Sequence, residues 1–359
     1  MARDRVCSSW GALVIAVGQV DAATLATLYM GEVPGALHKV NKATGGTTLV
    51  GSHGTGGSAT GLTGRASEPG VFYGMQATSG AGSNSRLLRI DIGSGSATPF
   101  GLLDEAVLGF PQPFATAIAI SPAAPDVAIV AGFNADFDDP HAGDDFIWEV
   151  DVATGKALGA AVPTLGIHAL TYSPDGSTLY GTVGSSLVKV NPYTGLTGTI
   201  GDTGLSDFLE GLAFDPTTGA LYAIDAFFTD KLVILDPNDG SVVTTVGPLG
   251  LVGPTGLAFE VPIPGDINYD GVVDVADLGL VGGQWSTGGS MPFNADIAPQ
   301  YVGDGTVDVA DLAVVGVNWT SPAGSSLSSE FLVPSPGAGV GVSALVLGVI
   351  GWRRRRRAA

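Results

Sequence analysis

The 359-residue chain carries 34 acidic and 15 basic residues, for a formal net charge of −19. Such an acidic surface repels phosphate backbones, so nucleic acid is excluded as a partner, whereas calcium and other cations are favoured. Glycine supplies 55 residues, and the chain is also rich in Thr, Ser and Val. This composition favours short strands joined by tight turns over a helical fold.

The N-terminus has the layout of a secretory signal over residues 1–22. Arg3 and Arg5 precede an apolar stretch over residues 10–20, and small residues follow it, with cleavage predicted after Ala22 or Ala23. Cys7, the single cysteine, lies inside this segment, so the mature chain contains no disulfide. Removing residues 1–22, which carry no net charge, and the five arginines near the C-terminus leaves an exported body of charge −24.

Residues 24–260 repeat a strand that ends in Asn or Asp and is followed by a glycine four residues later. The Asn or Asp side chain can cap the turn, and glycine supplies the positive φ that closes a short hairpin. The five pairs are Asn41 and Gly45, Asp91 and Gly95, Asp151 and Gly155, Asn191 and Gly195, and Asp236 and Gly240.

Each repeat holds four strand candidates, and the repeat period of roughly 50 residues predicts an all-β propeller. The first strand of the repeat is missing before Leu28, and a surplus copy occurs at 256–259, so we expect the C-terminal strand to close the ring. We predict about five blades, with a degenerate sixth blade at 95–115 as the alternative. The hairpins at 173–176 and 215–219 resemble those of YVTN-type propellers, a resemblance that implies architecture and not function.

After the proline-rich linker 261–264, oxygen-bearing residues recur at loop positions 1, 3, 5, 9 and 12, with glycine at position 6. This is the spacing of an EF-hand calcium loop. Val272 would bind Ca²⁺ through its carbonyl and Asp274 through water. The predicted ligands of this first loop are Asp266, Asn268, Asp270, Val272, Asp274 and Asp277.

Residues 265–320 resemble a type I dockerin, a duplicated loop-helix module, because 307–312 repeats 273–278 at a separation of 34. The resemblance implies a small α module that binds Ca²⁺ and docks to a cohesin-like or other surface protein, with Val275–Ala276 and Val309–Ala310 as a symmetric apolar face. The alternative to calcium binding is a pair of acidic turns that only stabilise a very small fold. A matching stripe in both copies predicts the core: Leu278, Val281 and Trp285, repeated as Leu312, Val315 and Trp319.

The second loop departs from the regular spacing. Counting back from Asp311 places Gln300 and Val302 at positions 1 and 3, so Asp296 becomes the first ligand only if the loop carries a four-residue insertion. The predicted ligands of this second loop are Asp296, Asp304, Thr306 through its carbonyl, Asp308 and Asp311.

After a linker over 321–332, residues 333–336 read Val-Pro-Ser-Pro, and an apolar run over 337–352 precedes five arginines. The apolar run spans about 24 Å as a helix, short of the roughly 30 Å hydrocarbon core. Residues 333–359 resemble the PEP-CTERM sorting signal, with Ser335 in place of the usual Glu, which implies export, transient membrane tethering and processing by an exosortase. The alternative is a plain C-terminal anchor. Both place the chain at the bacterial cell surface or outside the cell.

The sequence assigns no catalytic or cofactor-binding residue. The four histidines are not at triad or metal-ligand spacing, and no nucleophile motif or phosphate loop occurs. The leading hypothesis is a non-enzymatic propeller that binds or scaffolds a glycan or protein, chiefly through the non-repeating segments 51–64 and 134–145. The second segment is an acidic loop, either solvated or a cation site. Alternatives are a secreted carbohydrate-active hydrolase or lyase acting on polysaccharide, and a structural envelope protein.

Overall fold

The computed structural model describes residues 26–77, 84–136, 138–139, 142–205, 209–226, 230–251, 253–261, 263–268, 272–290, 294–298 and 303–320. These residues belong to one compact unit, Met1–Thr320. The predicted signal peptide, the 321–332 linker and the sorting segment at 333–359 lie outside the described residues. Within the described ranges, no helix is long and apolar enough to cross a membrane.

Twenty-one strands and three helices make up the described secondary structure. In chain order they are β1 (Leu28–Glu32), β2 (Ala36–Val40), β3 (Thr47–Ser52), β4 (Thr60–Gly64), β5 (Val71–Ala77), β6 (Ser85–Asp91), β7 (Ala97–Phe100), α1 (Glu105–Leu108), β8 (Pro113–Ser121), β9 (Ala124–Asn134), β10 (Asp145–Asp151), β11 (Lys156–Ala157), β12 (Val162–Pro163), β13 (Ile167–Tyr172), β14 (Leu179–Val183), β15 (Ser186–Val190), β16 (Thr197–Asp202), β17 (Leu209–Phe214), β18 (Leu221–Asp225), β19 (Lys231–Leu235), β20 (Val242–Pro248), β21 (Pro254–Phe259), α2 (Val275–Gly283) and α3 (Val309–Val317).

The strands form five antiparallel sheets, each of which is one blade of a propeller. Blade 1 has the order β21-β1-β2-β3, blade 2 is β4 to β7, blade 4 is β13 to β16, and blade 5 is β17 to β20. Blade 3 is β8-β9-β10, and its fourth strand is split into β11 and β12, which both pair with β10. Successive first strands, β4, β8, β13, β17 and β21, pack side by side and line the central channel.

The surplus strand closes the ring as predicted. β21 pairs with β1 in antiparallel register, with Leu257 opposite Met30 and Phe259 opposite Leu28. The five-blade prediction is therefore confirmed. The alternative sixth blade is absent from 95–115, a stretch that contains only β7, the single-turn helix α1 and the start of β8.

The hydrophobic core lies between neighbouring blades. Five clusters of buried side chains each combine residues from two adjacent blades, including the cluster of Leu28 and Ile224 at the seam between blades 1 and 5. Burial decreases outward: β18, the second strand of blade 5, is buried throughout, whereas the outermost strands β3 and β16 have no fully buried residue. Each blade thus depends on both neighbours to cover its apolar faces.

The seam between blades 1 and 5 also holds a buried ion pair. Lys42 Nζ lies 2.8 Å from Asp215 Oδ2, and both side chains are almost completely shielded from solvent. The same ammonium group lies 5.3 Å from the ring centroid of Phe259 on the closing strand. The pair therefore ties the first and last blades together at the point where β21 ends.

The five Asx-Gly hairpins form as the sequence predicts. In each, the glycine has a positive φ and its N–H donates to the carbonyl of the Asn or Asp four residues earlier. Each glycine also lies against the backbone of a neighbouring blade: a Cβ added to Gly45 would lie 2.7 Å from Gly247 O, and one added to Gly95 would lie 2.7 Å from Gly51 O. Glycine is therefore required at these positions for two reasons: the backbone has a positive φ, and the backbone of the neighbouring blade leaves no space for a side chain.

The residues after the propeller build a small two-helix module. Asp274 and Asp308 cap α2 and α3, and each helix has a complete capping box. The core of this module is made of six buried side chains: Ile267, Val273, Val281, Ala295, Val307 and Val315.

The predicted core stripe of the module is only partly correct. Val281 and Val315 are buried, and Leu278 and Leu312 pack against the core half-buried. Trp285 and Trp319, however, are exposed by 45% and 43%. The helices end at Gly283 and Val317, before either tryptophan, so the helical period that would turn the indoles inward is not maintained.

Three glycine-to-alanine variants separate the two reasons for glycine in the hairpin, which are its left-handed backbone conformation and its close contact with the neighbouring blade. Gly95→Ala should lower the free energy of unfolding by about 2–4 kcal/mol, because it adds a clash to the cost of a left-handed residue. Gly219→Ala, with φ +71° and no atom within 4 Å of an added Cβ, should cost about 1 kcal/mol. Gly198→Ala meets neither restriction and should change stability by less than about 0.5 kcal/mol. Urea denaturation measures all three, and equal losses for Gly95→Ala and Gly219→Ala would show that the interblade approach is not tight.

Candidate functional site

The first predicted calcium loop is organised around the buried carboxylate of Asp277. Its Oδ1 accepts hydrogen bonds from the N–H groups of Ile267 at 2.6 Å and Asn268 at 3.1 Å, and its Oδ2 accepts from Asp274 N at 2.9 Å. Asp266 is also buried, whereas Asp270 lies outside the described residues. Asp277 therefore joins the start of the loop to the first turn of α2.

The second loop repeats this arrangement. Asp311 Oδ1 accepts from Ile297 N at 2.6 Å and Ala298 N at 2.8 Å, and its Oδ2 accepts from Asp308 N at 2.8 Å. The structure thus aligns Asp296 with Asp266, since each directly precedes the corresponding isoleucine. The interval from Asp296 to Asp311 is four positions longer than the interval from Asp266 to Asp277, which assigns the insertion to 299–302.

The same alignment makes the two loops chemically unequal. Ala298 occupies the position that Asn268 has in the first loop, so the second loop lacks one side-chain oxygen. Its first aspartate, Asp296, accepts backbone hydrogen bonds from Asp304 and Gly305, both at 2.9 Å. The carboxylates of the second loop are therefore directed at backbone N–H groups.

The module carries acidic side chains and no basic ones. Residues 261–320 contain eight aspartates and no Lys, Arg, His or Glu. Among the described residues, no three Asp, Glu, His or Cys side chains gather into a metal-binding group. The donors available along both loops are nonetheless all oxygens, which is the chemistry that a hard cation such as Ca²⁺ requires, and the residues present fit that ion.

On the propeller, the first strand of each blade, or inner strand, carries one polar residue at an equivalent position in its N-terminal half. We call the end of the channel at which the inner strands begin the upper mouth. The position lies two residues before a buried Leu or Ile. Four of these residues are skipped in the strand pairing, and in β4 the register shift lies between Thr60 and Thr63. We call this set the mouth ring: Thr60, Thr116, His168, Glu210 and Thr255.

Two members of the mouth ring join adjacent blades. Thr60 Oγ1 donates to Ala115 O at 2.8 Å, and Thr116 Oγ1 donates to Ile167 O at 2.7 Å. The next two members face one another instead, with His168 Nδ1 lying 4.0 Å from Glu210 Oε1 and both side chains 29% exposed. The Thr255 hydroxyl is buried and has no hydrogen-bond partner among the described atoms.

Burial changes the ionisation of the His168 and Glu210 pair. It lowers the pKa of the His168 imidazole and raises the pKa of the Glu210 carboxyl, because a low-dielectric environment disfavours the charged form of each. The buried carboxylate of Asp225 lies on β18, where this residue is paired with Leu209 beside Glu210. The upper mouth therefore combines a neutral histidine with a partly desolvated acid.

Sequence reasoning missed this pair because its members are distant in the sequence and belong to different blades. His168 appears in the sequence as one of four unclustered histidines. Aligning the inner strands on their buried Leu or Ile would have revealed it, since three of the five equivalent positions are Thr and the other two are His and Glu.

The two non-repeating segments have different structures. Residues 51–52 end β3 and residues 60–64 form β4, so half of the first segment belongs to the blades. The acidic loop is closed by backbone bonds from Asn134 N to Asp144 O and from Gly143 N to Asn134 O. Burial and the neighbouring Asp144 raise the pKa of Asp145. A cation site in this loop stays a prediction.

No family model matches the chain, and no curated protein matches it. Solved structures do resemble it. A chain of the nidogen/laminin complex is 11% identical with a TM-score of 0.41, over 66% of this chain and 98% of that one. A Bacteroides thetaiotaomicron protein of unknown function is 16% identical with a TM-score of 0.41, over 67% of this chain and 63% of that one. These likenesses concern the fold.

The ionisation of His168 can be measured directly. Its imidazole should titrate below pH 6.5 in the folded chain and near 6.5 in urea, because burial disfavours the imidazolium. The folded chain then binds fewer protons than the unfolded chain, so this contribution to stability is complete above about pH 6.5 and decreases as the pH falls. Histidine NMR resonances, assigned with His168→Gln, give the pKa, and a value of 6.5 or higher in the folded chain would contradict the burial argument.

Proposed function

We propose that the chain is an exported, non-enzymatic propeller that binds or scaffolds a glycan or protein, and that its C-terminal module is a dockerin-like, calcium-dependent docking domain. The observation that supports the docking domain is the repeated loop geometry. In each loop, the buried aspartate, Asp277 or Asp311, accepts hydrogen bonds from three backbone N–H groups at equivalent positions. Both loops lie in a segment that contains no basic residue.

Calcium explains the charge of this module. Asp266, Asp277, Asp296 and Asp311 are buried, and ionised carboxylates are costly to bury without a compensating cation. In the first loop, Asp266, Asn268, Asp270, Asp277 and the Val272 carbonyl supply the oxygens that Ca²⁺ prefers, and Asp274 would act through water. Bound calcium would neutralise this charge and hold each loop against its helix.

The docking surface is proposed at the N-terminal ends of the two helices. Val275 and Val309 occupy equivalent positions and are 69% and 68% exposed. Exposed apolar side chains in a symmetric pair suit contact with a protein surface. The dockerin resemblance suggests a cohesin-like protein as the partner.

A secreted carbohydrate-active hydrolase or lyase is the second candidate, and the His168 and Glu210 pair favours it. Such a pair can transfer protons if a substrate lies within hydrogen-bond reach. Glycoside hydrolysis usually employs two carboxylates on either side of the scissile bond, whereas this pair supplies one. Binding is therefore the first proposal.

Calcium should bind the two loops in two steps. The first loop should bind more tightly because it has one more side-chain oxygen, and Asp270→Ala should abolish that step. Ala298→Asn restores the oxygen in the second loop and should strengthen the weaker step. Isothermal titration calorimetry with CaCl₂ measures both, with Glu149→Gln on β10 of the propeller as the control. Protease resistance of residues 265–320 that is the same in calcium and in chelator would contradict calcium-dependent folding.

The sorting proposal predicts the ends of the mature protein. The N-terminus should lie at Ala23 or Thr24 and the C-terminus near Pro334 to Gly337, because the signal and the arginine-terminated segment are removed during export. Intact mass spectrometry of protein from the native host provides the measurement. Recovery of the chain with Arg353 to Arg357 attached would instead support a permanent anchor.

A further inference from the structure

A cavity of about 270 Å³ lies at the lower mouth of the propeller channel, the end at which the five inner strands finish. The module lines the same cavity with residues from the starts of both calcium loops and with Val314 of α3. The cavity therefore lies between the channel and the module. On the propeller side, the last residue of every inner strand lines it: Gly64, Ser121, Tyr172, Phe214 and Phe259.

The linker between the propeller and the module is packed at both of its ends. A Cβ added to Gly64 would lie 2.1 Å from Cγ2 of Val261, so the Val261 side chain lies directly on the end of β4. Two residues later, Ile263 packs against the core of the module, and its carbonyl accepts from Asp266 N at 3.0 Å. The linker therefore holds the first calcium loop against the lower mouth.

The module residues that line the cavity are tied to its buried carboxylates. Ile267 N donates to Asp277 Oδ1, and Ile297 N donates to Asp311 Oδ1, both at 2.6 Å. Anything that fixes the two carboxylates also fixes this wall of the cavity. The predicted first ligand of each loop directly precedes its isoleucine and lines the cavity as well: Asp266 and Asp296.

We propose that the module is a calcium-ordered lid over the lower mouth of the propeller channel. The inference rests on the proposed calcium-dependent module, and it adds a regulatory role for the same two loops. With calcium, the loop starts are held against α2 and α3 and cover the mouth. In its absence the loop starts separate from the helices, and the cavity opens to solvent.

The lid can open without unfolding the propeller, because the two parts differ in the size of their cores. The module buries six side chains in a single cluster, whereas five interblade clusters stabilise the propeller. Small domains commonly depend on a metal for their stability. Four buried aspartates without a basic residue would also repel one another once calcium is removed.

The lid arrangement leaves the proposed docking surface accessible. Val275 and Val309, at the N-terminal ends of the two helices, are 69% and 68% exposed while the loop starts face the cavity. A partner bound at these valines would therefore be held at the lower end of the channel. Calcium would then control docking and access to the channel together.

The test measures access to the cavity with a single thiol. The chain without residues 1–22 has no cysteine, so the thiol of a Thr171→Cys variant is the one reactive group. Thr171 is half-buried on β13 and lines the cavity. N-ethylmaleimide should modify this variant of the mature chain about ten-fold faster or more in EDTA than in CaCl₂, since the lid opens. Intact mass spectrometry gives the rate, and Thr244→Cys, on the exposed strand β20, should react equally in both.

A second pair of substitutions tests the packing of the linker. Gly64→Ala, in the Thr171→Cys background, should displace Val261 and speed the modification in CaCl₂. Adding Val261→Ala removes Cγ2 and leaves a Cβ–Cβ distance of 3.5 Å, so slow modification should return. Gly198→Ala, with no atom within 4 Å of an added Cβ, is the matched control. Urea denaturation of each variant shows whether the propeller remains folded.

Two results would overturn the lid. One is equal modification of Thr171→Cys in CaCl₂ and EDTA by a chain that binds calcium in calorimetry. The other is slow modification of the Gly64→Ala variant in CaCl₂. A chain that binds no calcium would instead contradict the proposed function, and the lid with it, so the calorimetry of the same samples distinguishes the two failures.

Discussion

The propeller depends on close backbone contact between neighbouring blades. At each of the five interfaces a hairpin glycine lies against the outermost strand, or the residues directly after it, of the adjacent blade, with no room for a side chain. The Asn or Asp that starts the hairpin holds this glycine in a left-handed conformation. One short sequence pattern therefore sets both the turn and the distance between blades. The buried side chains of five interblade clusters then fill the space that these contacts leave.

Much of the fold could be predicted because the chemistry that specifies it is local and occurs five times. The hairpins are predicted by the pair Asn41 and Gly45 and by its four counterparts. The closure of the ring is predicted by the surplus strand before Glu260. The stripe in the module was only partly predictable, since nothing local shows that the helices stop before Trp285 and Trp319. Calcium ligation stays a prediction that rests on spacing, although the structure does align Asp296 with Asp266.

The mouth ring could not be predicted from local pattern, because the proximity of His168 and Glu210 is a product of ring geometry. Each residue follows an ordinary strand start, and only the side-by-side packing of β13 and β17 brings them together. The equivalent threonines Thr60 and Thr116 show what the position does elsewhere, which is to bond the next blade. On β13 and β17, a histidine and a glutamate that face one another stand where β4 and β8 have this structural bond.

In the proposed export, the pairing of β21 with β1 determines the order of events. β1 begins at Leu28, shortly after the predicted cleavage site, but its inner partner begins only at Pro254. A chain that crosses a membrane N-terminus first would therefore emerge with an incomplete first blade, and the edge of β1 would stay uncovered until Phe259 had crossed. The ring could close only outside, after translocation of the whole propeller, while the segment that follows β21 still spanned or approached the membrane. Completion of the fold and release from the membrane would thus be successive steps governed by the same end of the chain.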